Sequence, residues 1–481
     1  MSTSVPVQIT RIGDLVRVPR VVFDYAGLDP LLTYYRRVQD GANPADADLE
    51  ETKLYAFDGN GDALVQAGLI SRMFQRLRDV GYAPFIDDRR GAVLPPPDYN
   101  RLDLHTLRED QIQMIASVVS HDRGIIEGPT GSGKSFVIGQ LCKMWPSAKV
   151  IICSPVMGVL HTAVEELRAC FPKNQVGMCG DGFREIRRIT CSTTKSLGYC
   201  DLDDCQLFIF DEVHRAAAPE TSRMIARVRN ARRYGFSASP DGRSDLADME
   251  AEAMFGPIVY KGTYQESQAR GAVVPIEVYM VSCYAVPNED YDGTVALERN
   301  MLWRCAHRNG LIVSAVRWLQ RTFDPDMQIQ IIVAKVEHAA HLAPALPDFE
   351  LVYGSMHAND RKKWENNNLI PKDKHPITAA EREEMRRAFR AGTLRRVIST
   401  HTWGTGVDFP KLGAMIRADG GSGKIANIQL TGRVTRPSDG KEVGVVIDFD
   451  DVHNRRLSGR ALKRIVTYRS KGWKVGSLRL N

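Results

Sequence analysis

The sequence contains no Cys-x-x-Cys pair. Its nine cysteines are scattered singly, which argues against both a zinc site and a disulfide framework. Cys153 and Cys283 sit inside apolar runs, where a reduced, buried thiol is expected. No apolar run approaches the length needed to cross a bilayer. The opening Met-Ser-Thr-Ser-Val-Pro also lacks the charged and apolar blocks of a signal peptide. A cytoplasmic protein with no membrane partner is therefore expected. The last absence is of one charge. From Val452 onward there is no acidic residue, while Arg455, Arg456, Arg460, Lys463, Arg464 and Arg469 are all basic. Such a segment is either drawn to phosphate backbones or is a solvated basic helix, and the first reading is preferred.

What remains is a chain of 481 residues, 43% hydrophobic and 25% charged, with a net charge of +6. That suits a soluble globular protein of several domains. In the first stretch, Leu15–Val18 reads as a strand interrupted by Pro19, and Val21-Val22-Phe23 as the start of another. Leu31 to Arg37 reads as a helix start, Asp40 to Thr52 as a loop, and Ile70 to Val80 as a helix stopped by Gly81. Residues 1–98 are thus expected to form a small α/β accessory domain. Leu94-Pro-Pro-Pro-Asp98 is the candidate linker, since three prolines continue neither regular element.

The most specific stretch follows. An apolar run, Gly124-Ile125-Ile126-Glu127, leads into Gly128-Pro129-Thr130-Gly131-Ser132-Gly133-Lys134-Ser135 and then into an apolar helix start. This is G-x-x-x-x-G-K-[ST] between strand and helix. Glycines let backbone N–H groups curl around a phosphate, and the helix N-terminus adds its positive end. In this chemistry Lys134 reaches the β- and γ-phosphates and the Ser135 hydroxyl ligates Mg²⁺, so ATP and Mg²⁺ are the expected cofactors. Upstream, Gln111 carries an amide that both donates and accepts, matching the N6 and N7 edge of adenine. A second glycine run, Gly420-Gly-Ser-Gly-Lys424, lacks the full spacing and an apolar helix start, and reads as a loop.

From Lys149 the pattern alternates strand and helix, with Gln206–Phe210 as a buried parallel strand running into Asp211-Glu212-Val213-His214. Acidic groups at such a strand end lie where open α/β sheets bind ligands. Asp211 would hold Mg²⁺ through its water shell, and Glu212 would orient and deprotonate the attacking water. Ser237-Ala238-Ser239-Pro240 places short hydroxyl side chains at another strand end.

Taken in order, GPTGSGKS, DEVH and SASP resemble motifs I, II and III of the superfamily 2 helicases and translocases. Pro155 resembles motif Ia, Ile189–Leu197 the next DNA-contacting segment, and Gln111 the Q motif. Further on, Gly404-Thr405-Gly406-Val407-Asp408 resembles motif V, and Gln429-Leu-Thr-Gly432-Arg433-Val-Thr-Arg436 resembles motif VI. The spacing of Arg433 and Arg436 would set both on one side of a helix, from which guanidinium groups stabilise charge on a transferring phosphoryl group. The resemblance implies two tandem RecA-like parallel-sheet motor domains, residues 99–275 and 276–481, behind the accessory domain. Nucleotide would lie in the cleft between the motor halves. Gly406, Asp408 and Gln429 would belong to the nucleotide side. Thr193, Thr194, Thr402 and Thr405, with the basic Arg460, Lys463 and Arg464, would touch nucleic acid.

At finer grain, DEVH and the C-terminal segment resemble phage UvsW-like and repair-type helicases. The implied activity is ATP-dependent remodelling of branched DNA without sequence preference, by a monomer or with a partner. An RNA helicase and the motor of a restriction or defence complex are the rival expectations. The polar insert Ser355–Thr378 is expected to be a flexible loop.

Overall fold

The computed structural model describes residues 4–38, 48–90, 94–240, 247–284, 293–354, 361–362, 365–366, 377–403 and 409–480. Those up to Gly262 form one compact unit and those from Thr263 onward a second. The insert Ser355–Thr378 lies almost wholly outside the described residues, as do Thr405, Gly406 and Asp408 and the side chain of Thr402.

The first unit begins with an α/β module, as its sequence suggests, although its elements differ from the expected ones. Strands β1 (Val5–Ile12), β2 (Leu15–Val18), β5 (Tyr55–Phe57), β6 (Ala63–Gln66) and β7 (Tyr82–Asp88) make a sheet in the order β5-β6-β2-β1-β7. Arg20–Ala26, read as a strand start, is a helix. Its turns bury Val22, Phe23 and Ala26, and Gly27 at φ 61° ends it. Leu31–Arg37, read as a helix start, instead enters β3 (Thr33–Val38), paired with β4 (Asp48–Lys53). The helix Ile70–Asp79 stands where its periodicity places it.

The proline run does not tether a loose domain. Leu94 is buried in the core of the following sheet, the Trp145 indole donates to Pro95 O at 2.8 Å, and Asp98 N donates to Met144 O at 2.9 Å. The module itself is fastened by buried charge. Asp14 accepts from Arg123 at 2.8 Å and pairs with Arg233 at 2.7 Å, while Asp122 pairs with Arg11 at 2.8 Å and with Arg90 at 2.9 Å. Burial pushes the Arg233 guanidinium down to about 10 even with Asp14 beside it. Backbones approach closely at Gly68, where a Cβ would lie 2.1 Å from Glu252 O.

Behind the module stands an eight-stranded sheet. Its strands are β8 (Arg123–Glu127), β9 (Val150–Ser154), β10 (Val176–Gly180), β11 (Phe183–Arg184), β12 (Ile189–Thr193), β13 (Leu207–Asp211), β14 (Arg232–Ser237) and β15 (Ile258–Lys261). Their order is β11-β10-β12-β9-β13-β14-β8-β15, and every pairing but β10–β11 is parallel. β8, β9, β10 and β12 are buried at every position, so they read as apolar runs rather than alternations.

The second unit repeats this plan with seven strands. They are β16 (Ile276–Ser282), β17 (Gln328–Ile332), β18 (Glu350–Val352), β19 (Arg396–Ser399), β20 (Leu412–Arg417), β21 (Gly444–Asp450) and β22 (Lys474–Leu478). The order is β18-β19-β17-β20-β21-β16-β22, and every pairing is parallel. The two large parallel sheets are RecA-like, as the motifs imply.

Candidate functional site

The phosphate loop leaves β8 and enters the helix Lys134–Met144, the context its motif requires. Gly131 and Gly133 hold φ of 95° and 80°, values that L side chains rarely adopt, so the loop curls only with glycine there. Gly133 has a second constraint: a Cβ would lie 2.4 Å from Gln111 Nε2. Gln111 is therefore packed on the loop, and its Oε1 accepts from Arg108 N at 3.1 Å. The Arg108 guanidinium donates to Ser132 O at 2.6 Å. Sequence reasoning missed Arg108; its signal was its place just ahead of the Gln111 turn.

Lys134 Nζ donates to Gly128 O at 2.9 Å and Pro129 O at 3.3 Å. The ammonium is thus held inside the curl where a phosphate would sit. Ser132 is 1% exposed and its hydroxyl has no hydrogen-bond partner, although a Cβ on Gly128 would lie 2.7 Å from it. Ser135, the expected Mg²⁺ ligand, is exposed on the first turn of the helix, and Thr130 is half-buried on the curl.

Three strand ends meet beside this loop. Asp211 pairs with Phe236 across β13–β14 and Ser237 with Glu127 across β14–β8, so the ends are level within a residue. Gly128 N donates to Ser237 O at 3.0 Å. Burial pushes the Asp211 carboxyl up, while the charge of Lys134 and the Glu212 N–H, at 3.0 Å, pull it down. Glu212 sits at φ 62°, a strained conformation for a residue with a side chain, and such strain clusters at functional sites. His214 Nδ1 lies 3.4 Å from Glu212 Oε2 and 3.0 Å from Ser237 Oγ, which also accepts from Ser239 N at 3.1 Å. Ser237, the first hydroxyl of the Ser237–Pro240 strand end, thus links the third strand end to the acidic pair.

The residues expected to touch nucleic acid are less uniform. Pro155 and Thr194 are half-buried at the ends of β9 and β12, but the Thr193 hydroxyl is used internally, accepting from Ser196 N at 3.1 Å. In the second unit, the helix Arg455–Ser470 divides the expected basic cluster. Lys463 is exposed, and Arg460 pairs with Glu298 at 2.7 Å. Arg464 corrects the expectation outright. It is 1% exposed, pairs with Asp448 at 2.8 Å and donates to Phe449 O at 2.7 Å, so its charge is spent inside the protein.

The arginine pair is also corrected. The helix Lys424–Thr431 carries the half-buried Gln429 but ends before the arginines. Arg433 lies in a 3₁₀ turn, buried and donating to Trp403 O, and Arg436 is in extended backbone after it. The two therefore do not share a helical face.

Two family models match the stretches that carry these residues. The family described as type III restriction enzyme, res subunit, matches residues 104–242, and the helicase conserved C-terminal domain matches residues 324–438. The first match spans the phosphate loop, the acidic pair and Ser237; the second spans the arginine turn. The chain belongs to the superfamily 2 helicases. The DNA 3′-5′ translocase XPB2 of Sulfurisphaera tokodaii is 24% identical to this helicase over 74% of the chain and 84% of its own length. The DNA 3′-5′ helicase XPB of Kineococcus radiotolerans is 22% identical over 69% of the chain and 57% of its own. Among solved structures, S. cerevisiae Dbp5 bound to RNA and ADP BeF3 aligns at a TM-score of 0.52 and 14% identity. It covers 78% of this chain and 91% of its own, a likeness of fold alone. No helix among the described residues is long and apolar enough to cross a membrane.

Proposed function

We propose that this helicase is an ATP-driven DNA motor, with branched DNA as its preferred substrate. The observation that carries the nucleotide part is the level convergence of Lys134, Asp211, Glu212 and Ser237 on neighbouring strand ends. The residues present fit Mg²⁺–ATP. Ser132 Oγ is buried and unpaired, Gly131 and Gly133 take the left-handed backbone that the curl needs, and a lysine is already drawn into it. Ser135 and Asp211 would hold the metal ion, and Gln111 would meet the adenine. Bound Mg²⁺–ATP supplies the phosphoryl group and the cation that neutralises its oxygens.

The chain's residues do the rest. Lys134 leaves its loop carbonyls for the phosphates, an exchange of partners within one curl. Glu212 orients water and takes its proton, and the strained backbone fixes where its carboxylate points. His214, between Glu212 and Ser237, is the part that would report the state of the acidic pair to β14. Arg433 and Arg436 stabilise charge on the transferring phosphoryl group. Gly406 and Asp408 support the nucleotide. Pro155, Thr194, Thr402, Thr405 and Lys463 contact phosphates of the strand, contacts that position without reading sequence.

DNA is favoured over RNA by the two relatives, each named for acting on DNA in the 3′-5′ direction. The test is the steady-state ATPase rate with no nucleic acid, single-stranded DNA, duplex DNA, four-way DNA and single-stranded RNA. Strongest stimulation by four-way DNA is expected. Stimulation by RNA alone would overturn the proposal, and equal stimulation by plain duplex would remove its branched-DNA part.

A further inference from the structure

The second unit contains a cluster that neither the motor chemistry nor the sequence motifs use. Cys283 follows β16, Cys305 caps the helix Ala306–Thr322, and Asp451 and His453 follow β21. The two cysteines lie far in sequence from each other and from Asp451 and His453, so no spacing pattern announces the group. All four are buried, at 0%, 6%, 1% and 6% exposure. Donor atoms of Cys283, Asp451 and His453 all lie within 4.8 Å of one another. Cys305 neighbours the group, its thiol interacting with that of Cys283 and with His453.

His453 supplies the independent observation. Its Nδ1 lies 3.1 Å from Cys283 O, an oxygen that can only accept, so Nδ1 carries the proton and Nε2 keeps its lone pair. That Nε2 is buried and has no hydrogen-bond partner. A backbone carbonyl fixing one ring nitrogen while the other is left bare is how metal-binding histidines are oriented.

We propose that this cluster is a structural site for a soft divalent cation, zinc by preference, held by Cys283 Sγ, Cys305 Sγ, His453 Nε2 and an Asp451 oxygen. Thiolate and imidazole donors select zinc over Mg²⁺ and Ca²⁺, which take oxygen. In a tetrahedral site the donor atoms stand about 3.3–3.8 Å apart, so Cys283, Asp451 and His453, already within 4.8 Å of one another, close by small side-chain shifts, with the neighbouring Cys305 turning in as the fourth ligand. Charge also balances. Two thiolates and Asp451 bring three negative charges, met by the cation and by Arg308, whose Nε donates to Asp451 Oδ1 at 2.7 Å. Arg308 is thereby the outer partner that orients the carboxylate. The cation would clip the end of β16 to the β21 connection and to the start of Ala306–Thr322, with no part in ATP turnover.

The test uses the full chain, reduced and stripped of metal, titrated with Co²⁺. The expected result is the visible d–d bands and thiolate charge-transfer band of tetrahedral cobalt, saturating at one ion per chain and bleached by Zn²⁺. Cys283→Ser and His453→Gln should each weaken cobalt binding by about 10-fold or more. Cys170→Ser, at an exposed cysteine elsewhere, should leave it unchanged. Absence of the thiolate band, or its survival in Cys283→Ser, overturns the proposal. Should those variants fail to fold, X-ray absorption of the zinc-loaded wild type decides: sulfur at about 2.3 Å is expected, and an all-oxygen shell contradicts it.

Discussion

Two glycine-rich turns in this chain leave a buried parallel strand and enter a helix, and they hold opposite contents. The first, after β8, wraps an ammonium: Lys134 reaches back to the carbonyls of Gly128 and Pro129. The second, after β20, wraps a carboxylate. There Asp419 accepts from Gly421 N at 3.3 Å and from the buried Arg417 at 2.7 and 2.8 Å. Arg417 also reaches Asn427 at 3.0 Å, and Tyr468 donates to Asp448 at 2.6 Å. An anion is therefore already built into the second turn and neutralised there. In the first turn the curl itself holds the Lys134 ammonium, and the carboxylate that feels its charge, Asp211, belongs to a neighbouring strand end rather than to the turn. The comparison teaches that strand, glycines and Gly-Lys do not make a phosphate site unless the place of the phosphate is left open.

The largest expected effect falls on the first turn. Lys134→Ala should lower ATP turnover by about 10³-fold, since a preorganised charge at the phosphates is lost, and should leave DNA binding in filter or polarisation assays nearly intact. Retained turnover would move the phosphate site elsewhere. Glu212→Gln should cost about 10²–10⁴ in turnover while ATP is still bound, as removal of a general base does. A loss of binding instead would make Glu212 a nucleotide ligand.

On the second turn the expected effect is on stability, not turnover. Asp419→Ala leaves Arg417 buried at 1% exposure without its carboxylate, which costs about 3–5 kcal/mol in denaturant unfolding. Burial works against the Asp419 charge, yet Arg417 and its hydrogen bonds hold the carboxyl well below the usual range. The sign follows. Because the folded value is depressed, the stabilisation is complete above the unfolded carboxylate value of about 4 and is lost as pH falls below it. Asp419→Asn should therefore flatten the acid limb of the stability curve, and an unchanged limb would remove Asp419 from the account.

The smallest effect separates two neighbours. Lys463→Ala should reduce the salt slope of DNA binding by about one. Arg464→Ala should leave the slope alone and lower the melting temperature, because its charge is committed to Asp448. Equal salt effects would reject the division of the basic helix into an outer and an inner set.

Much of this comparison is legible in the sequence. Gly128–Ser135 follows a buried strand and fixes its own context, and Asp211-Glu212 ends an apolar run that can only be a core strand. The second turn reads as a loop for want of the full spacing and of an apolar helix start, and Gly420–Gly423 are indeed loop. The helix Lys424–Thr431 does follow, burying Asn427, Ile428, Leu430 and Thr431. Its apolar face is too short to register as a period.

Other misses have the same root in tertiary contact. Val21-Val22 carries strand propensity, yet the chain coils there because Val22, Phe23 and Ala26 share the module core. Arg464 shares the helical spacing of its basic neighbours, and only Asp448 on β21 draws it inward. The cluster at Cys283 was invisible for lack of a local pattern, its members being brought together by the β16–β21 pairing.

The most direct measurement of the central contrast is nucleotide stoichiometry: a non-hydrolysable ATP analogue with Mg²⁺, titrated into wild type, Lys134→Ala and Asp419→Asn by calorimetry. The account predicts one nucleotide per chain, lost in Lys134→Ala and retained in Asp419→Asn. Binding that survives Lys134→Ala, or a second nucleotide lost with the Asp419 substitution, would contradict it.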